Sequence, residues 1–387
     1  MRPRPLGSLP GCATVVAIPA KNEAEHIGAC LRALAMQQDA QADAVVLVVN
    51  NTRDGSAGLA RSLAPALPFA LHVVEHDFPT ADACAGQARR MAMECAAALA
   101  GQGGALLTTD ADGQVAPDWL ARNLAYLDDG IEVVAGCAVL DPADALLIPP
   151  RLHEDDAREC AYAAVLDEIA ALLDPDPWDP LPRHTEHSGA STCVTLSCYR
   201  RAGGMPAAPL AEDRAFFAAL RRVDARIRHA PDVQVVVSGR TEGRAPGGMA
   251  DTIRRRLTCA DAWLDDALEP AVNAIRRARL RKRVRRICAP GVPEATAMRG
   301  LAHDLGAPVE IVAAALRSSC FGDAWATLEA ESPALARVKV AVADLPREMA
   351  RASHALRRLR ELDMVRVQGS GYPLLPSLAA AAPAWSG

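Results

Sequence analysis

No apolar run in these 387 residues approaches the ~20 needed to cross a bilayer, so no spanning helix is expected. The segment from Met1 to Pro10 has basic residues but no apolar stretch behind them, which argues against a secretory leader. The eleven cysteines include no Cys-x-x-Cys pair, and an odd, scattered count suits free thiols in a reducing cytoplasm. Cys30, Cys95 and Cys160 fall on apolar helix faces, where a thiol serves as a small core side chain. No Ser-His-Asp or Cys-His arrangement supplies a covalent nucleophile, and no internal repeat is found. A net charge of −5 argues against nucleic acid as the main partner.

What is present is ordinary for a globular chain, with half the residues hydrophobic and 23% charged. The length allows two domains, or one large domain with an appendage. Short all-apolar runs at Thr14–Ile18 and Ala44–Val49 read as strands covered on both faces. Leu71–Val74, Leu106–Thr108, Glu132–Val139, Ser191–Ser197 and Val233–Val237 extend the series. Helical spacing fills the gaps, as in Ile27, Leu31 and Leu34, in 82–99 and in Asp155–Leu173. This alternation predicts an α/β architecture with a mostly parallel sheet. In such sheets ligands sit outside the carboxyl ends of the strands. The polar segments 19–23, 50–54 and 110–112 fall there, and the Pro-rich stretch Asp174–His187 reads as a loop long enough to shape a pocket.

The most informative stretch is Thr108-Thr109-Asp110-Ala111-Asp112-Gly113, a strand that stops on two carboxylates two residues apart. Side chains at i and i+2 of an extended segment point the same way, so both can face one ligand. A hard divalent cation carrying a diphosphate, Mg²⁺ or Mn²⁺, is the natural occupant between them. Asp174-Pro-Asp176 repeats the pattern and reads as a turn.

Taken together, Ile18-Pro19-Ala20-Lys21-Asn22-Glu23, Asn50–Gly55, Gly86-Gln87-Ala88-Arg89, Thr109–Asp112, Gly203-Gly204 and Glu212-Asp213 resemble the family 2 inverting glycosyltransferases. The order and spacing over about residues 13–245 carry the resemblance. It implies a GT-A fold with a Rossmann-like nucleotide-binding half. Pro19, Asn22 and Glu23 would line the nucleoside pocket, and Asn50 or Asn51 would meet the base. The family has an aspartate pair at that second strand end; an Asn carbonyl can still accept an N–H from uracil, so a UDP-sugar is the favoured donor. Arg89 (or Arg90) would contact the diphosphate, and Gly204 would lie among the substrate contacts. Asp112 would hold the metal, with Asp110 at the metal or the ribose. Asp213, beside Glu212, would be the general base, although both could be ordinary helix-start acids. The family's histidine ligand near the last strand has no counterpart in Val236–Arg240; Arg240 and Arg244 would instead neutralise phosphate.

These readings divide the chain into a glycosyltransferase domain, 1–245, and a helical appendage, 246–387. The appendage holds a basic run, 276–286, in which Leu280, Val284 and Ile287 form a narrow apolar stripe. That stripe could lie on the inner face of an anionic membrane, or the run could be a solvated face balanced by nearby acids. The activity implied is inverting transfer of a sugar from a nucleoside-diphosphate sugar to an acceptor hydroxyl not identified by the sequence. Two other readings are a sugar-phosphate nucleotidyltransferase and a non-catalytic nucleotide-sugar-binding protein. The first would want a Gly-rich basic loop after the first strand, and the second has no use for a base.

Overall fold

The computed structural model describes residues 13–79, 83–241, 243, 248–288 and 295–369. Its sheet has eight strands: β1 (Thr14–Ala20), β2 (Ala44–Asn50), β3 (Ala70–His76), β4 (Ala105–Thr108), β5 (Gln114–Val115), β6 (Val133–Leu140), β7 (Thr192–Thr195) and β8 (Ile227–Val237). Their order is β3-β2-β1-β4-β7-β6-β8-β5. The half β3-β2-β1-β4 is parallel throughout, while β7 runs antiparallel to both neighbours and β5 antiparallel to β8. The expected α/β sheet flanked by helices is present, and its three sequence-legible polar turns all follow parallel strands.

Alternation within the buried strands builds two cores, one on each face. Val16, Ile18, Val45 and Leu47 point to the face covered by Ile27, Leu31, Leu34, Trp119 and Leu120. Val15, Ala17, Val46 and Val48 point to the other face, against Ala88, Ala92, Met93, Ala96, Phe216 and Phe217. Successive side chains of a strand face opposite ways, so an all-apolar run is what two-sided burial requires. Each fully buried Val or Leu contributes roughly 1.5–3 kcal/mol, which makes β1 and β2 the least movable part of the site.

Three strand expectations shift. Ser191–Ser197 is strand only over Thr192–Thr195, because the Thr195 hydroxyl accepts from the Cys198 N–H at 3.3 Å and caps a helix, Leu196–Arg201. The last strand begins at Ile227 rather than Val233. Its register to β6 jumps from Gly136↔Ala230 to Cys137↔Gln234, so residues 231–233 bulge out and hide the alternation. β5 is too short to show in sequence. The helix expected from Asp155 begins at Pro150, with proline in its first turn. Of the three cysteines placed on apolar faces, Cys30 is buried and Cys160 is exposed.

Beyond β8 the described residues are helical, apart from one isolated bridge, Trp263↔Ala341. The segment chosen as the domain boundary, 241–248, lies mostly outside the described residues, as does Arg244. The helix Pro150–Leu173 shares a core with the C-terminal region, where Tyr162, Leu166 and Ile169 pack with Leu264, Leu268, Ala352 and Leu356. The basic run lies in the helix Ala271–Cys288 and does not have the free stripe expected of a membrane-surface element. Leu280 and Val284 are buried against Leu301, Leu305, Val312, Trp325 and Leu328. Several of its arginines are tied inward as well: Arg277 to Glu269 and Glu329, Arg281 and Arg285 to Asp174. A helix interior to a bundle needs its apolar face for that bundle, and none is left for lipid. No helix among the described residues is long and apolar enough to cross a membrane.

Candidate active site

The loops after β1 and β2 are built as one wall. Asn22 adopts a left-handed φ of 53°, a conformation its short polar side chain tolerates. Its N–H donates to the Thr52 hydroxyl at 3.2 Å and its side-chain carbonyl accepts from the Arg53 N–H at 2.9 Å. The Glu23 N–H donates to Ser56 Oγ at 2.8 Å, and the Ala24 N–H to Asp54 Oδ2 at 3.0 Å. Pro19 stands in register with Val48 just before this wall. The two asparagines considered for the base have different surroundings. Asn51, also left-handed, pairs both ways with the Phe78 backbone, donating to O at 2.8 Å and accepting from N at 3.2 Å. Asn50 is buried, and its side chain bonds to no other described residue.

Asp110 and Asp112 follow β4 in a turn closed by the Gly113 N–H to the Asp110 carbonyl at 3.0 Å. One oxygen of each carboxylate is taken by a guanidinium. Asp110 Oδ1 lies 2.5 Å from Arg89 Nη2, and Asp112 Oδ2 lies 3.1 Å from Arg240 Nη2. The second oxygen of each meets no side-chain donor among the described residues. Burial, then the charge of Asp110, pushes Asp112 up to about 6 against the pull of Arg240. Two crowded carboxylates with oxygen to spare fit a hard divalent cation. No group of three or more His, Cys, Asp or Glu that could hold a metal ion occurs among the described residues.

Arg89, expected at the diphosphate, has other partners. It is buried, and it donates to Thr108 Oγ1 at 2.9 Å, to the Gly189 carbonyl at 2.8 Å, to Asp110 and, through Nε, to Glu212 Oε1 at 3.2 Å. It therefore ties the strand-end carboxylates to the head of the helix Glu212–Arg222. Gly189 makes room for it, and Gly86 makes room for the neighbouring Ala208 backbone. A Cβ on Gly189 would lie 2.6 Å from Arg89 Cζ, and one on Gly86 would lie 2.3 Å from the Ala208 carbonyl. Arg90, the alternative, forms an exposed pair with Glu94 at 2.8 Å.

Glu212 and Asp213 head their helix but differ in what they can do. The carboxylate of Glu212 is held by Arg89. Asp213 accepts only from the adjacent Arg214 N–H, at 2.7 Å, and no side chain donates to it among the described residues. Burial, then Glu212, raises its pKa above the ordinary carboxylate value. A half-buried carboxylate to which no guanidinium is hydrogen-bonded is equipped to take a proton. Gly204, expected near substrate, has a φ of 80° and makes the turn after Leu196–Arg201, its N–H donating to the Tyr199 carbonyl at 2.9 Å.

Two features escaped the sequence. Arg240 Nη1 and Nη2 reach Glu23 at 2.9 and 2.7 Å, so the residue expected to neutralise phosphate first neutralises the β1 end. The stretch Asp174–His187 is a pinned strap rather than an open loop. Asp179 accepts from the His229 backbone at 2.9 Å and ring at 2.8 Å, and Arg183 and Arg228 close on it. No residue pattern marks either contact.

Comparison with known proteins gives one family match and several similar folds. A model of glycosyl transferase family 2 matches residues 15–180, which hold β1, β2, β4 and the paired aspartates. No curated protein matches the chain. A mannosyltransferase from Pyrobaculum calidifontis, solved with GDP-Man and Mn²⁺, is 19% identical with a TM-score of 0.42 over 92% of this chain and 90% of its own. TarS 1-349 of S. aureus, solved with UDP, is 14% identical with a TM-score of 0.43, covering 94% of each chain. Glucosyl-3-phosphoglycerate synthase of M. tuberculosis is 16% identical with a TM-score of 0.36, over 66% of this chain and 84% of its own. Residues 15–180 are thus similar to a glycosyl transferase family 2 domain.

Proposed function

We propose that this protein transfers a sugar from a nucleoside-diphosphate sugar to an acceptor hydroxyl with inversion at the anomeric carbon. The observation that carries the reading is the contrast between Glu212, held by Arg89, and Asp213, which is half-buried and receives no side-chain donor among the described residues. Single displacement needs one such carboxylate and no enzyme nucleophile. Asp213 takes the proton from the acceptor hydroxyl as that oxygen attacks, and Arg89 keeps Glu212 from competing for it.

The donor lies along the wall formed by 19–24 and 50–56. Asn50 meets the base with its unused amide, and Asn51 positions that loop by gripping Phe78. Asp112 and Asp110 hold a divalent cation, Mn²⁺ or Mg²⁺, which supplies Lewis-acid stabilisation to the departing diphosphate. Arg240 lies beside Asp112 and offers a guanidinium to the same oxygens. Arg89 acts indirectly, by fixing Asp110 relative to the base.

The experiment is thermal unfolding with UDP, GDP, ADP and CDP, each with and without Mn²⁺, on the wild type and Asp112→Ala. The expected result is stabilisation by one diphosphate that needs Mn²⁺ and disappears in Asp112→Ala. Stabilisation by no nucleotide would reject the donor reading, and undiminished Mn²⁺-dependent stabilisation of the variant would reject the metal assignment.

A further inference from the structure

A second concavity, about 450 Å³, opens beside the head of the Glu212–Arg222 helix; its lining includes Thr252, Arg255, Asp261, Trp263, Asp265 and Asp266. It is joined to the base by one contact: Arg214, the residue after Asp213, donates Nη2 to Asp265 Oδ2 at 2.9 Å. Three observations define what this cleft suits.

Its charges cancel locally. Asp261 pairs with Arg255 and Arg256, Glu159 with Arg256, Asp265 with Arg214, and Asp266 with Lys339 at 3.1 Å. Each carboxylate of the lining, Asp261, Asp265 and Asp266, is thus matched by a cation within or beside the cleft, so no uncompensated charge calls for an ionic ligand. What remains is a dense set of planar donors and acceptors, already held in place by one another.

Its apolar feature is a single indole. Trp263 is 52% exposed, while the next residue, Leu264, is buried in the core with Tyr162 and Leu268. The backbone there is fixed by the Leu264 N–H to the Val340 carbonyl and the Val342 N–H to the Ala262 carbonyl, both at 3.0 Å. Strand-like alternation on this rigid segment turns Trp263 outward because Leu264 points in. An indole held outward in this way offers a flat apolar face to a ligand.

A neutral cleft rich in fixed hydrogen-bonding groups, with one flat aromatic face, matches a pyranose ring. The ring's C–H face stacks on the indole, and its hydroxyls meet the charged side chains without bringing a charge of their own. We infer that this cleft holds the acceptor as a neutral glycoside, stacked on Trp263 and bonded through hydroxyls to Asp265 and Arg255. This inference rests on the reading of Asp213 as the base, since the Arg214–Asp265 pair ties the cleft to the first turn of the helix that carries Asp213. Arg214 is then a positioning residue that couples acceptor seating to the catalytic helix.

The test is titration calorimetry of the wild type, Trp263→Phe and Trp263→Ala with methyl glucoside, methyl mannoside, maltose, cellobiose and glucuronic acid, and separately with UDP and GDP. A neutral saccharide should bind the wild type and lose affinity about tenfold or more in Trp263→Ala, with Trp263→Phe between them. Nucleoside-diphosphate binding should be equal in all three proteins, and glucuronic acid should bind no better than its neutral counterpart. If a nucleotide binds but no neutral saccharide does, or Trp263→Ala binds saccharide like the wild type, the cleft assignment is overturned and the donor reading stands. Should saccharide binding depend on Trp263 while no nucleotide binds, the cleft is a carbohydrate site and the donor reading fails.

Discussion

Arg240 meets Glu23 as a two-pronged ion pair, Nη1 to Oε2 at 2.9 Å and Nη2 to Oε1 at 2.7 Å. The pair joins the segment after the last strand to the end of the first, across 217 positions of sequence. Glu23 is almost fully buried, and Arg240 Nη2 also reaches Asp112. One guanidinium thus balances carboxylates from two strand ends that would otherwise repel each other.

Arg240→Met should therefore destabilise the fold by about 2–3 kcal/mol, less than the ~3–5 of a fully buried pair because solvent reaches the arginine. The double variant Arg240→Met, Glu23→Gln should lose less than the sum of the two single losses, since it leaves only Asp112, and not Glu23 as well, without this guanidinium. Urea unfolding of the four proteins checks this. Additive losses would mean that the ion pair contributes nothing of its own.

Arg89→Met should be more damaging, by roughly 3–5 kcal/mol, because it leaves Asp110 and Glu212 without the guanidinium that is buried between them. Arg89→Lys should recover only part of this, as an ammonium cannot reproduce the fork that reaches Thr108, Gly189, Asp110 and Glu212 together. Gly189→Ala should mimic the loss without touching a charge, by driving a methyl group into the guanidinium. Chemical denaturation midpoints decide it: an unchanged midpoint for Arg89→Met would show that the bridge is not structural.

Asp213→Asn should lower turnover about 10²–10⁴-fold, or roughly 3–5 kcal/mol of barrier, with donor affinity unchanged. The wild-type rate should rise with pH through a carboxylate value above the usual ~3.9 and then level off, because the base acts only when ionised. Stability should move the other way. The folded-state pKa is raised, so the contribution of Asp213 is fully present below the unfolded value and is lost as pH rises through the folded one. Asp213→Asn has no such loss and should be the more stable protein at pH 7, with the advantage gone at pH 3. Pre-steady-state assays and unfolding at both pH values test the pair. A variant that is slower but also less stable at pH 7 would place Asp213 in a structural rather than a catalytic role.

Much of the site was legible because it lies at the ends of buried strands. β1 and β2 read as all-apolar runs since both faces are covered, and the polar residues that stop them lie where ligands meet parallel sheets. Asp110 and Asp112 were legible for the same reason, as the i, i+2 spacing survives any detail of packing. Arg89 reads as a diphosphate contact in sequence, and the fold adds partners that no sequence pattern shows: Thr108, Gly189, Asp110 and Glu212. A helix sequence shows an arginine two residues from Gln87, not that Gly86 and Gly189 let loops close over it. The basic helix stayed open between two readings for a similar reason: Leu280 and Val284 form a real stripe, but whether a stripe meets lipid or another helix depends on segments such as Leu301–Leu305 folding back on it.

The sequence by itself determined the α/β alternation, the order of strand ends and the carboxylates they present, because these follow from periodicities of two and 3.6 residues that operate locally. The tertiary structure alone decided which charges neutralise which. The ion pairs Arg240–Glu23, Arg89–Glu212 and Arg214–Asp265 join residues 217, 123 and 51 positions apart. Coulombic attraction and desolvation depend on distance and burial rather than on order along the chain. A guanidinium that reads as a phosphate ligand in sequence becomes an internal strut once the fold has surrounded it with carboxylates.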